Sequence, residues 1–176
     1  LLKKQRDAVG LSVFSDRYEY YAPEKGSDRH HRMILNTLES LLARPLVSKT
    51  TDTVSFLHQI AEKIHRRSMI ILFTDMFQSS SDSLGQEAMF NALQHLKHNK
   101  HKVVLFHVVE AKTEVNFDFD NAPRKFVDIE TGEEVAIYAD NVKEEYEKEV
   151  EKYFKKLSLT CSQNRIKYIQ VRVDES

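Results

Sequence analysis

Residues 68–74 read Ser-Met-Ile-Ile-Leu-Phe-Thr, and Asp75 follows directly. An uninterrupted apolar run this short, bounded by polar residues, predicts a β-strand rather than a buried helix. It does not alternate with polar residues, so it predicts a strand buried on both faces, as in a parallel sheet covered by helices. Residues 102–109 (KVVLFHVV) repeat the pattern and predict a second buried strand.

The surrounding sequence supplies helices at the right places. Between the two strands, Ala88, Met89, Ala92, Leu93 and Leu96 recur at helical spacing in a segment that ends near His98. Upstream, Thr50-Thr51-Asp52 starts a helix with Val54, Leu57, Ile60, Ala61 and Ile64 on its apolar stripe, and His65, Arg66 and Arg67 end it. Residues 9–15 (VGLSVFS) predict another strand, and residues 17–21 (RYEYY) a short edge strand broken by Pro23, Gly26 and Ser27. Ser27 or Asp28 caps a helix over about 29–43, with Ile34, Leu38, Leu41 and Leu42 on one face and Pro45 beyond its end. Downstream, residues 115–119 alternate, and residues 126–129 and 135–138 flank Glu130-Thr131-Gly132-Glu133 as a hairpin. Asp140 caps a long helix carrying Val142, Tyr146, Val150, Tyr153, Phe154 and Leu157, and residues 166–173 (IKYIQVRV) predict a last strand near an edge. The alternation of strand and helix predicts an α/β, doubly wound, mostly parallel sheet with helices on both faces. Residues 1–176 read as one domain, with a hairpin insertion at about 113–139.

Composition narrows the function. The 26 basic and 27 acidic residues leave a net charge of −1, with no field to gather nucleic acid or an anionic membrane. The longest apolar runs are too short to span a bilayer. A single cysteine, Cys161, allows no internal disulfide and suits the reducing cytoplasm. The four glycines, Gly10, Gly26, Gly85 and Gly132, are too far apart to build a phosphate-cradling loop. No Gly-Xaa-Ser-Xaa-Gly elbow is present. These absences favour a binding or scaffolding module over an enzyme.

Ligands of open α/β sheets gather beyond the carboxyl ends of the strands. Ser15-Asp16, Thr74-Asp75 and Glu110 fall there, and Thr51 joins them if its loop lies on the same rim. Asp75, beside hydroxyls at the tip of an apolar strand, suits a hard divalent cation; it equally suits a turn that bonds backbone N–H groups. His95, His98 and His101 have zinc-ligand chemistry, but Gln94, Lys97, Asn99 and Lys100 around them read as a solvated helix end. His30-His31 reads as solvated or locally packed, His107 as a core histidine, and Cys161 as a buried small hydrophobe. The mixed charges of residues 143–156 read as a solvated helix face, and Tyr18, Tyr20 and Tyr21 as contact candidates.

Several stretches in order carry a family resemblance: 6–16 (RDAVGLSVFSD), Pro23-Glu24-Lys25-Gly26-Ser27, His30-His31, Thr51-Asp52, 66–77 (RRSMIILFTDMF) and 126–133 (FVDIETGE). Together they resemble the bacterial von Willebrand factor A-like proteins catalogued as domain of unknown function 58. The resemblance implies a doubly wound sheet with a Mg²⁺-dependent adhesion site. Of that site, the threonine falls on Thr51 and the later aspartate on Asp75. The Asp-Xaa-Ser-Xaa-Ser element has no counterpart here and would lie upstream of Leu1 with the first strand. The chain therefore reads as an N-terminally truncated domain, with metal binding expected only in the intact protein. The resemblance also implies an adaptor or assembly role with a MoxR-type AAA+ ATPase. Strands left without the first strand would expose edges through which two copies could pair. The expected function is a protein-interaction or scaffolding domain. The alternatives are a metal-assisted hydrolase using Asp75, Asp16 and nearby histidines, and a purely structural domain.

Overall fold

The computed structural model describes residues 7–14, 18–43, 53–75, 83–98, 100–110, 123–127 and 134–173. The expected helix start at Thr50-Thr51-Asp52, Ser15-Asp16, the serine-rich loop, residues 115–119 and the turn at Glu130–Glu133 lie outside the described residues. The chain divides into two compact units, Leu1–Ile64 and His65–Ser176.

In the first unit, β1 (Val9–Phe14) pairs antiparallel with β2 (Tyr18–Lys25). The register aligns Leu11 with Ala22 and Val13 with Tyr20, and it shifts between Val9 and Leu11. Gly10 sits at that irregularity, where a Cβ would lie 2.9 Å from the Ala22 carbonyl oxygen. Contrary to expectation, Pro23 does not end β2. Among the described residues β2 has β1 as its one neighbour, and a strand at an edge tolerates a residue without an N–H. Helix α1 (Asp28–Leu42) begins at Ser27, whose Oγ accepts from the His30 backbone N–H at 3.3 Å. His30 is buried, and its Nε2–H donates to the Val9 carbonyl at 2.9 Å. Ile34 is buried, but Leu38 and Leu42, expected on the same inner face, are exposed. In helix α2 (Thr53–Lys63), Thr53, Phe56, Leu57, Ile60 and Ala61 form one buried stripe, and Phe56 stacks on Phe14 of β1 at 5.0 Å.

In the second unit, β3 (Met69–Thr74), β4 (Lys102–Glu110) and β7 (Lys167–Val173) form a parallel sheet in the order β3-β4-β7. β5 (Pro123–Val127) and β6 (Glu134–Tyr138) pair antiparallel; the sequence places the first of these strands at 126–129, of which 128 and 129 lie outside the described residues. Helix α3 (Ser83–His98) links β3 to β4, and α4 (Ala139–Gln163) precedes β7. Asp140 thus lies inside the first turn of α4 rather than before it.

Each new parallel strand is added on the same side of the last. Right-handed crossovers in one direction place both connecting helices on one face of the sheet. The burial agrees. Met89, Ala92, Leu93 and Leu96 of α3, and Tyr153, Leu157 and Cys161 of α4, are buried. So are Val103, Leu105, His107 and Val109, every second residue of β4. The intervening residues of β4 are half-buried.

The two-sided burial expected for residues 68–74 is not found. Leu72 is buried, whereas Met69, Ile71 and Phe73 are 63%, 49% and 65% exposed. The run is apolar throughout, but its one buried side chain, Leu72, lies on the α3–α4 face.

Among the described residues no helix is long and apolar enough to cross a membrane. Leu105 is fully buried at the middle of the central strand. Leu105→Ala is expected to lower unfolding free energy by about 2–5 kcal/mol in denaturant titration. Leu159→Ala, on the exposed side of α4, is expected to stay within about 0.5 kcal/mol of the parent.

Candidate functional site

The carboxyl end of β3 is fixed by a histidine of the neighbouring strand. His107 is paired in register with Thr74. Its Nε2 lies 2.7 Å from the backbone oxygen of Asp75, and its Nδ1 lies 2.8 Å from the Tyr168 hydroxyl. A carbonyl can only accept, so Nε2 carries the proton and Nδ1 accepts from Tyr168. Phe154 of α4 meets the imidazole edge-on at 4.9 Å between centroids. Burial lowers the His107 pKa below 6.5, against the raising effect of the Asp75 hydrogen bond and carboxylate. Burial also pushes the Tyr168 hydroxyl up to about 12. The ring is thus a neutral strut that holds the end of β3, as expected for a core histidine.

Asp75 itself is exposed at the tip of β3. Glu110 ends β4 on the same rim. Among the described residues, no group of three or more His, Cys, Asp or Glu side chains is placed to hold a metal ion. Thr51 and Asp16 lie outside the described residues. Cys161 is buried, and burial raises its thiol pKa to about 11, so it packs as a small hydrophobe.

At the amino end of the sheet, the solvated reading of the histidine segment needs correction. His98 is exposed, but His101 is buried. The Ser68 backbone N–H donates to His101 Nδ1 at 3.2 Å, and Lys97 Nζ donates to the His101 carbonyl at 3.0 Å. Lys102 N–H then donates to the Ser68 carbonyl at 2.9 Å. His101 therefore ties together the loops that lead into β3 and β4. The sequence places His101 just beyond the helix, and the structure turns it inward.

The face of the sheet away from α3 and α4 is the feature that sequence reasoning missed. Met69, Ile71 and Phe73 share it with Val104, Phe106 and Val108 of β4 and Ile169 and Val171 of β7, by strand alternation and register. Phe73 stacks on Phe106 at 4.9 Å between centroids. Among the described residues β3 is hydrogen-bonded on one edge only. Apolar side chains and an open strand edge thus lie together.

The family model for proteins of unknown function DUF58 matches residues 1–155. The chain belongs to the DUF58 family. No curated protein and no solved structure matches it. Within this DUF58 chain the matched span includes β1 to β6 and both rims of β3 and β4.

The buried imidazoles set a pH dependence. Both His107 and His101 titrate below 6.5 when folded, chiefly because burial disfavours their charged forms. An unfolded histidine titrates near 6.5, so the folded chain holds fewer protons in the window just below that value. Stability from these groups is complete above the unfolded pKa and is lost as pH falls through the folded values. Denaturant midpoints are expected to drop between pH 7.5 and pH 5, and His107→Gln is expected to flatten that drop.

Proposed function

We propose that this chain is a protein-interaction domain rather than an enzyme, and that it contacts its partner through the open apolar face and free edge at β3. The observation that carries this reading is the exposure of Met69, Ile71 and Phe73 on a parallel sheet strand. Parallel sheets are normally covered on both faces, and a contiguous exposed apolar patch marks a contact surface. An extended partner segment adding to the β3 edge would place its side chains beside the same patch.

A von Willebrand factor A-like fold, a cytoplasmic location and a MoxR-type AAA+ ATPase as the partner belong to this reading. They are supported by the ordered motifs 6–16, 66–77 and 126–133 and by DUF58 membership. In the intact protein, a Mg²⁺ held partly by Thr51 and Asp75 would add a metal-dependent contact. Asp75 supplies one exposed carboxylate, whereas Mg²⁺ takes six oxygens in an octahedron. The described residues alone do not make up that set, so the contact at β3 is proposed without metal. A second copy of this chain is the other occupant the β3 edge would accept.

Phe73→Asp places a charge on the open face without touching the α3–α4 face. It is expected to weaken binding of a purified MoxR-type ATPase by at least about tenfold in biolayer interferometry, while stability changes by less than about 1 kcal/mol. Unchanged binding by this variant would overturn the assignment of β3. Concentration-dependent dimerisation of the parent chain, abolished by Phe73→Asp, would assign the face to a second copy instead.

A further inference from the structure

The amino rim of the same sheet carries a feature that the interaction reading does not use. Arg66, Arg67, His98 and Lys100 line an open cleft of about 510 Å³. Arg66, Arg67 and Lys100 come from the two loops that lead into β3 and β4, and His98 ends α3. All four are exposed, and among the described residues no carboxylate forms an ion pair with any of them. In a chain with a net charge of −1, three permanent cations around one cleft are a local excess.

The two loops of this cleft leave their helices through left-handed residues. Arg67 and Lys100 adopt φ values of 66° and 62°. Glycine takes this left-handed conformation without strain, and long side chains rarely adopt it. Arg165, which does not line the cleft, shares the conformation past the end of α4, so this conformation marks the turn from helix to strand. The loops are also cross-tied: Ser68 N–H donates to the buried His101 imidazole, and Lys102 N–H to the Ser68 carbonyl. Lys97 keeps its charge, but its ammonium is directed to the His101 carbonyl. Arg66, Arg67 and Lys100 are therefore presented from a braced frame.

We propose that this cleft is a binding site for a phosphoryl group. The charge count decides between anions. A carboxylate brings one negative charge and two oxygens, whereas a phosphoryl group brings nearly two charges at neutral pH and three acceptor oxygens. Two guanidiniums and an ammonium from two loops match the second. Guanidinium forks bond such oxygens in pairs, and Lys100 adds a point charge. The volume also suits a small phosphorylated molecule. The site is separate from the open face, because it uses the loops before the strands rather than the strand side chains.

The test is an amide NMR titration of the 176-residue chain with inorganic phosphate and with pyrophosphate, at fixed ionic strength, beside a chloride control. The expected result is saturable shifts centred on residues 66–68 and 100–102, tighter for pyrophosphate and absent with chloride. Arg67→Gly and Lys100→Gly remove a cation where glycine fits the backbone. Each is expected to weaken binding by at least about tenfold, while Lys148→Ala on exposed α4 leaves it unchanged. If pyrophosphate saturates and inorganic phosphate does not, the ligand is a polyphosphate. Equal shifts with chloride, no saturation, or equal weakening by Lys148→Ala would overturn the proposal.

Discussion

The second unit depends on the hydrogen bonding of β4 along both edges, to β3 on one side and β7 on the other. Parallel pairing fixes which residues share a face, because side chains alternate along each strand and the register aligns them across strands. It also puts the amino ends of the strands on one rim and the carboxyl ends on the other. Everything with functional meaning in this unit is read from that alignment. His107 reaches the end of β3 because it pairs with Thr74. His101 reaches Ser68 because each lies one residue before its strand.

One face of this sheet is closed and the other is open, and the cause is topological. Strands added successively on one side send both crossovers over the same face. α3 and α4 then bury Val103, Leu105, His107 and Val109, while Met69, Ile71 and Phe73 keep large exposed surfaces. The closed face supplies the cohesion, and the open face leaves apolar area for association. The two rims divide further tasks. The carboxyl rim is braced by a neutral imidazole, and the amino rim gathers cations on loops tied by a second imidazole.

Much of this architecture was legible in the sequence. The helices announced themselves by spacing: Leu57, Ile60 and Ala61 in one, and Met89, Ala92, Leu93 and Leu96 in another. The strands at 68–74 and 102–109 were plain from their apolar runs, and their parallel pairing followed from the helix between them. The open face was not legible, because an all-apolar run has the same composition whether one face or both are covered. Pro23 misled even though an edge strand was expected there, because a proline on the unpaired side of an edge strand costs no ladder hydrogen bond. Leu38 and Leu42 lie on a helical stripe with Ile34, yet a stripe records only what a helix is able to bury. The basic cleft escaped notice because its residues come from two segments about thirty positions apart that only the sheet brings together. Asp75 was singled out by its place at the tip of an apolar strand as well as by the resemblance, and Thr51 lies outside the described residues.

The central claim is that β3 packs one side chain row and offers the other. Methyl NMR relaxation with a soluble paramagnetic agent tests it most directly. The account predicts strong relaxation of the Met69 and Ile71 methyls beside protected Leu72 and Leu105 methyls. Uniform protection of all four would contradict it, because it would mean that β3 is covered on both faces.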